Sequence, residues 1–261
     1  MLIDTVSNID ITQIIYCFGS NQRGIHGKGS ALTAATFFGA KKGQGEGISE
    51  RSYAIPTKDQ NLKSLSLNQI QHHIERFLDT SELFSDMHFF VTKVGCGLAG
   101  YEEPQIIKLF DELYPKYERS FISNVTLPTS WQIELGLIPK ERYIIVAGSR
   151  TVDDRAYIER VLEVHNIKGT IISGNARGVD TVAIQWAKAS GYKTISVPAP
   201  WEFYKGDKRL GRMRNWIMAN IATDCIVIWN GESPGSKHMH SIALESNLDT
   251  QMHRVLFTGK L

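Results

Sequence analysis

Across residues 142–257, short apolar runs alternate with helical segments, and the runs are apolar at nearly every position instead of every second one. A strand reads this way when both of its faces are buried, so the pattern requires a parallel sheet covered by helices on both sides. Strands are expected at 143–146, 170–172, 194–197, 225–229 and 255–257, and helices at 154–164, 179–190, 209–219 and 236–246. In such a sheet the C-terminal strand ends share one edge with the helix N-termini, and ligands bind along that edge.

The first 140 residues repeat the alternation less regularly. Strands are expected at 11–17, 53–55 and 88–94, and helices at 30–38, at 67–78 and from Pro104 to about residue 113, in the order βαβαβα. Pro56 reads as the end of the second strand, and 39–50 as a flexible segment. Pro115, Pro128 and Pro139 interrupt the stretch that follows, which holds one candidate edge strand at 121–127. The expected organisation is therefore an α/β domain over 1–120, a connection over 121–140 and a second α/β domain over 141–261. With 261 residues, 42% of them hydrophobic, the chain can fill two cores.

Composition narrows the function classes. Residues 1–140 carry 13 Lys and Arg against 15 Asp and Glu, and the remainder 16 against 12, about −2 and +4. The second half thus suits an anionic ligand without forming a DNA-binding stripe. Cys17, Cys96 and Cys225 are odd in number and lack a CxxC pair, so they are expected to pack in a reducing compartment and to hold no structural metal. Acids in the first residues speak against a secretory leader, and no run of eighteen apolar residues suggests a membrane span. A cytoplasmic location is the expectation.

Four strand ends in the second half carry polar and glycine-rich loops. The first is Ala147-Gly148-Ser149-Arg150, with a glycine for close approach, a hydroxyl and a guanidinium suited to phosphate. The second, Ser173-Gly174-Asn175-Ala176-Arg177-Gly178-Val179-Asp180, opens a helix whose free amides favour an anion. After the third comes Pro198-Ala199-Pro200-Trp201, and then Arg212, Arg214 and Asn215 on a helix where the two arginines cannot share a face. The fourth runs Trp229-Asn230-Gly231-Glu232-Ser233-Pro234-Gly235-Ser236-Lys237-His238. Neither GxGxxG nor a Walker lysine loop is present. Each loop alone is also compatible with an ordinary turn, and Asp180 with a helix cap.

Together these residues resemble the YspA-type family of the SLOG superfamily. That superfamily has Rossmann-like folds and is similar to the DNA-processing protein A domain and to the lysine-decarboxylase-like cytokinin-activating enzymes. The resemblance spans nearly all of 142–258 and implies binding of nucleotides or nucleotide-derived signals. The motif glutamates of the cytokinin-activating branch are absent from the Gly174–Asp180 loop, which weakens a phosphoribohydrolase reading.

The first half has its own cluster. Asn21, Gly24, His26, Gly27, Lys28 and Gly29 form a loop between strand and helix that can cradle a diphosphate. Lys58 ends a strand as a candidate nucleophile or cation, although a solvated turn lysine fits the same pattern. Gly95-Cys96-Gly97-Leu98-Ala99-Gly100 supplies a second glycine loop. Gly24-Ile25-His26-Gly27-Lys28-Gly29, Tyr53-Ala54-Ile55-Pro56-Thr57-Lys58 and the Gly95–Gly100 loop resemble the macrodomain fold, in the branch of DNA-ADP-ribose glycohydrolase antitoxins and terminal ADP-ribose glycohydrolase. On that resemblance Lys58 falls on the catalytic lysine, Gly97, Leu98 and Gly100 belong to the ligand loop, and no carboxylate stands where the human-type relative has its acid, near Ala99. Asp59, Glu102 and Glu103 lie close by in sequence.

The two resemblances imply a protein that binds ADP-ribose or a related NAD-derived nucleotide, free or on an ADP-ribosylated macromolecule, and hydrolyses or sequesters it without a cofactor. NAD metabolism, reversal of ADP-ribosylation and interference with nucleotide-based defence signalling are the contexts they imply. A non-catalytic nucleotide sensor, with homo-oligomers as in related superfamilies, is the second reading. DNA binding is the third, through Lys205, Lys208, Arg209, Arg212 and Arg214.

Overall fold

The computed structural model describes residue 11 and residues 14–117, 124–199 and 209–255. Two compact α/β units, Thr12–Ile138 and Pro139–Leu261, each surround a five-stranded sheet. The architecture is macrodomain-like in the first and Rossmann-like in the second.

The first unit comprises β1 (Ile14–Asn21), α1 (Gly29–Phe37), β2 (Gly47–Ser49), β3 (Ser52–Lys58), α2 (Leu67–Leu83), β4 (His88–Val91), α3 (Glu103–Leu113), β5 (Val125–Thr126) and α4 (Thr129–Glu134). The sheet order is β2-β3-β1-β4-β5, parallel except for the antiparallel β2–β3 pair. Ile15 and Cys17 on one face of β1 join a core with Tyr53, Ile55, Phe89, Ile70, Ile74, Phe77, Ile106, Phe110 and Trp131. On the other face the Tyr16 ring stacks on Phe38 at 4.4 Å. Burial on both faces is why β1 lacks alternation.

Three expectations for this unit change. The 39–50 segment contains β2, held against β3 in antiparallel register. Pro56 does not end its strand. The Tyr16 amide bonds the Arg51 carbonyl, so the odd residues of β3 face β1 and Pro56 faces away. Because β2 pairs no further than Ala54, the missing proline N–H meets a free edge and costs no ladder bond. The stretch expected to connect the domains contributes β5 and α4, and Trp131 of α4 is fully buried against Phe110. Residues 121–123 of the candidate edge strand lie outside the described residues.

The second unit comprises β6 (Arg142–Gly148), α5 (Arg155–Val164), β7 (Gly169–Ser173), α6 (Val179–Ala189), β8 (Thr194–Ser196), α7 (Arg209–Asn220), β9 (Asp224–Trp229), α8 (Pro234–Glu245) and β10 (Asp249–Arg254). All pairs are parallel, in the order β10-β9-β6-β7-β8. From central β6 the chain winds outward through β7 and β8, then returns to the other side of β6 for β9 and β10. This reversal puts the switch point of the sheet at the C-terminal ends of β6 and β9, where sheets of this kind form their ligand crevice. The last strand falls six residues before its expected place. β10 is a polar edge strand, Asp-Thr-Gln-Met-His-Arg, paired on one side only, so it carries no apolar signal. Val255 packs on the core, whereas Leu256 and Phe257 lie outside the described residues.

Local signals account for several helix starts. In α2 the Ser66 hydroxyl accepts the Gln69 amide while the Gln69 side chain accepts the Ser66 amide. This reciprocal box satisfies two end groups of the helix that supplies Ile70, Ile74, Phe77 and Leu78 to the core. Ser66→Ala is expected to lower stability by about 1 kcal/mol in urea unfolding, and an unchanged midpoint would contradict this assignment.

Candidate functional site

The C-terminal ends of β3, β1 and β4 share one edge of the first sheet, which brings Lys58 and both glycine loops to that edge. Lys58 pairs with Asn21 just beyond a register shift in the β1–β3 ladder. A bulge of this kind turns the side chain beside it and ends regular pairing. The Lys58 carbonyl accepts the Gln22 amide at 3.0 Å, and the residue bridges to Ser64 on its other side. The Ser64 hydroxyl donates to the Ala99 carbonyl at 2.7 Å. Lys58 is thereby tied to the first glycine loop through Gln22 and to the second through Ser64.

The candidate contacts in these loops divide into two kinds. The Asn21 side chain is spent on the loop itself, its amide donating to the Ile25 carbonyl at 2.7 Å and its oxygen accepting the Ile25 amide at 3.0 Å. His26 is buried edge-on to Phe18, with Nε2 at 3.2 Å from the Lys41 and Gln44 carbonyls. Gly24, at φ 66°, has no room for a side chain against Gln44. Gly95, at φ 80°, holds a left-handed backbone against the Ile106 side chain. These four residues build the loops. Gly27, Lys28, Gly29, Gly97, Leu98 and Gly100 are exposed, and a Cβ at any of those four glycines would meet open space. They form the accessible rim.

Beneath the second loop Lys93 donates to Glu103 at 2.7 Å, and Glu103 also accepts from Trp131 Nε1 at 2.8 Å and Ser130 at 3.2 Å. Burial pushes the Glu103 carboxyl up, but the Lys93 hydrogen bond and charge, with Trp131 and Ser130, outweigh it and hold it below the usual glutamate value. Of the acids near the empty motif position, Glu103 is therefore committed to Lys93, and Asp59 caps its own turn through the Asn61 and Lys63 amides. Burial also raises the Cys96 thiol to about 12, as suits packing against the core.

In the second unit, Ser149 and Asn230 join the loops that follow β6 and β9. The Ser149 hydroxyl donates to Asn230 Oδ1 at 2.8 Å and accepts the Asn230 amide at 3.0 Å. Asn230 Oδ1 also accepts the Glu232 and Ser233 amides, and its Nδ2 reaches Thr151. Asp180, on the first turn of α6, accepts the Gly148 amide at 3.3 Å and the Ala176 amide at 3.2 Å. Burial raises its carboxyl, against the lowering charge of Arg214. Gly178, at φ 74°, packs under the Ser149, Arg150 and Val152 carbonyls, where any side chain would collide.

Packing explains more glycines here than ligand approach does. A Cβ on Gly148 would strike the Ile228 carbonyl and Val179, and one on Gly174 would strike the Arg214 guanidinium. Arg214 Nη1 donates to the Gly174 carbonyl at 2.9 Å, whereas Arg212 is exposed, which divides the two arginines between structure and surface. Arg150, Arg177 and Lys237 are exposed on the loops after β6 and β7 and on the first turn of α8, while Ser173 is buried and accepts the Asn175 amide. Ser233 caps α8 through the Ser236 amide, with Gly235 exposed on its first turn. At Gly231, φ 87° is the conformation the turn needs, and Arg254 lies over the Trp229 ring. Trp201, Lys205 and Lys208 lie outside the described residues. Thr151, Ser64 and the Lys93–Glu103 pair were not singled out from the sequence, because their partners are distant in the chain.

The model of the YspA, cpYpsA-related SLOG family matches residues 142–204. The chain is also 30% identical over 107 residues to the Gene 61 protein of Mycobacterium phage D29, covering 37% of this chain and 84% of that one. Through its second unit the chain belongs to the SLOG family. Family membership implies nucleotide binding, and exposed cations and helix N-termini stand at the strand-end edge of the SLOG unit. Among solved structures, DNA processing protein A from Streptococcus pneumoniae is similar at 18% identity and a TM-score of 0.41, over 74% of this chain and 88% of that one. Among the described residues no cluster of three or more His, Cys, Asp or Glu is placed to hold a metal ion, and no helix is long and apolar enough to cross a membrane.

Because its folded pKa is depressed, Glu103 contributes stability that is fully present above the ordinary carboxylate range and is lost as pH falls through the lower folded value. Glu103→Gln is therefore expected to cost about 1 kcal/mol at neutral pH, discounted for partial exposure. The difference from wild type should close as both proteins are acidified below that range, and a gap independent of pH would contradict the ion-pair account.

Proposed function

We propose that the protein binds ADP-ribose or a related NAD-derived nucleotide and removes ADP-ribosyl groups, with Lys58 as the nucleophile. The observation that carries this reading is the convergence on Lys58 of the two glycine loops, one through Gln22 and the other through Ser64. The exposed backbone of Gly27, Gly29, Gly97 and Gly100, together with the N-terminus of α1, suits a diphosphate. The resemblance of these segments to ADP-ribose glycohydrolases supports the choice of ligand.

In the chemistry proposed, the free amine of Lys58 attacks ribose C1″. The bond from C1″ to the modified group breaks, its electron pair leaves with that group, and the leaving group takes the proton the amine sheds. Water then displaces the lysine, restoring the amine and releasing ADP-ribose. The SLOG unit binds the same or another nucleotide through Ser149, Arg150, Arg177 and the α6 and α8 N-termini. A second reading, sequestration without turnover, is favoured by one observation: Glu103 is held by Lys93 and is not available as an acid beside Lys58.

Incubation with ADP-ribosylated protein and ADP-ribosylated DNA, with products followed by mass spectrometry, tests the proposal. Wild type is expected to release ADP-ribose, and Lys58→Ala to abolish release while keeping ADP-ribose affinity within about threefold. Binding without product selects sequestration, and turnover that survives Lys58→Ala removes Lys58 from the chemistry.

A further inference from the structure

Asn215, on α7 of the SLOG unit, is buried with 2% exposure and uses both ends of its amide. Its Oδ1 accepts from Arg214, at 3.3 Å from Nε and 3.1 Å from Nη2. Its Nδ2 lies 3.3 Å from the Gly235 carbonyl and 3.2 Å from Nδ1 of His238. The two ends cannot be exchanged. A reversed amide would set its NH2 against a guanidinium, which has only donors, and its oxygen against the Gly235 carbonyl, which has only acceptors. Nδ1 of His238 must therefore accept, and the imidazole proton resides on Nε2.

Nε2 meets no hydrogen-bond partner among the described residues. His238 stands on the second turn of α8, the helix that opens at the crevice end of β9, with Arg212 close enough to act on it electrostatically. Burial and then the Arg212 charge lower the imidazole to about 4, so it stays neutral at physiological pH. Arg214, in turn, reaches the Gly174 carbonyl beyond β7. One chain of contacts thus runs from the loop after β7, through α7, to the helix after β9.

We propose that Asn215 is a positioning residue that fixes His238 as a neutral Nε2–H donor, and that this donor bonds a phosphate oxygen of the nucleotide held by the SLOG unit. The inference rests on the nucleotide reading of that crevice. It gives His238 a contact that a freely rotating, two-tautomer imidazole would offer only part of the time.

The test uses the full chain with nitrogen-15-labelled histidine, His238 being assigned by the loss of its signals in His238→Gln. Near neutral pH, wild type is expected to show an unprotonated Nδ1 and a protonated Nε2. Asn215→Asp at mildly alkaline pH should reverse them, because a carboxylate only accepts. Titrations of the uniformly nitrogen-15-labelled chain with ADP-ribose and with ADP are followed at the Ser149 amide. His238→Ala is expected to lose about tenfold in affinity, and His238→Gln, which keeps a side-chain N–H donor, to retain most of it. A protonated Nδ1 in wild type, or unchanged affinity in His238→Ala, overturns the inference while the nucleotide reading stands. Wild type that binds neither ligand at Ser149 overturns the nucleotide reading and the inference with it.

Discussion

A parallel strand cannot be followed directly by its neighbour; the chain must first return to the starting edge, usually through a helix. In the second unit this constraint applies at every strand pair, so every strand ends on one edge and the loops that lead from strand to helix gather there. The reversal of direction around β6 then separates the loop after β6 from the loop after β9. The Ser149–Asn230 pair bonds those two loops to each other, and Asp180 ties the Gly148 amide to the loop after β7. The first unit follows the same rule around β1, flanked by parallel β3 and β4, and Lys58 reaches the loop edge because β3 continues through Pro56.

Much of this fold was legible in the sequence because burial on both faces writes an uninterrupted apolar run. The strands at 143–146 and 225–229 and the helices between them were readable for that reason. β10 was not, since a polar edge strand is defined by its partner β9 and not by its own residues. β2 was hidden in the same way by Gly47 and its neighbours. Thr129–Glu134 is short and lies between prolines, and only Trp131 entering the core reveals why it is helical.

The candidate sites divide along a similar line. Loops rich in glycine and polar residues marked both strand-end edges as candidate sites, but not which of their residues remain available for contact. Asn21, His26, Gly148 and Gly174 are accounted for by local bonds and close packing, whereas Gly27, Gly29, Gly97 and Gly100 are open. His238 enters the sequence only as the last residue of the fourth loop. Its fixed tautomer depends on Asn215, 23 residues earlier, and so has no signature in local spacing. Buried polar groups of this kind specify geometry because leaving any member unpaired is costly.

Amide hydrogen exchange, with and without ADP-ribose, tests the central claim most directly, because the two strand-end edges are built largely from backbone amides. The account predicts slowed exchange in residues 148–151, 175–179 and 230–237 of the SLOG unit and in 22–29 and 95–100 of the first unit, with the strands beneath unchanged. Slowed exchange confined to surfaces away from both edges, or none at saturating nucleotide, would contradict it.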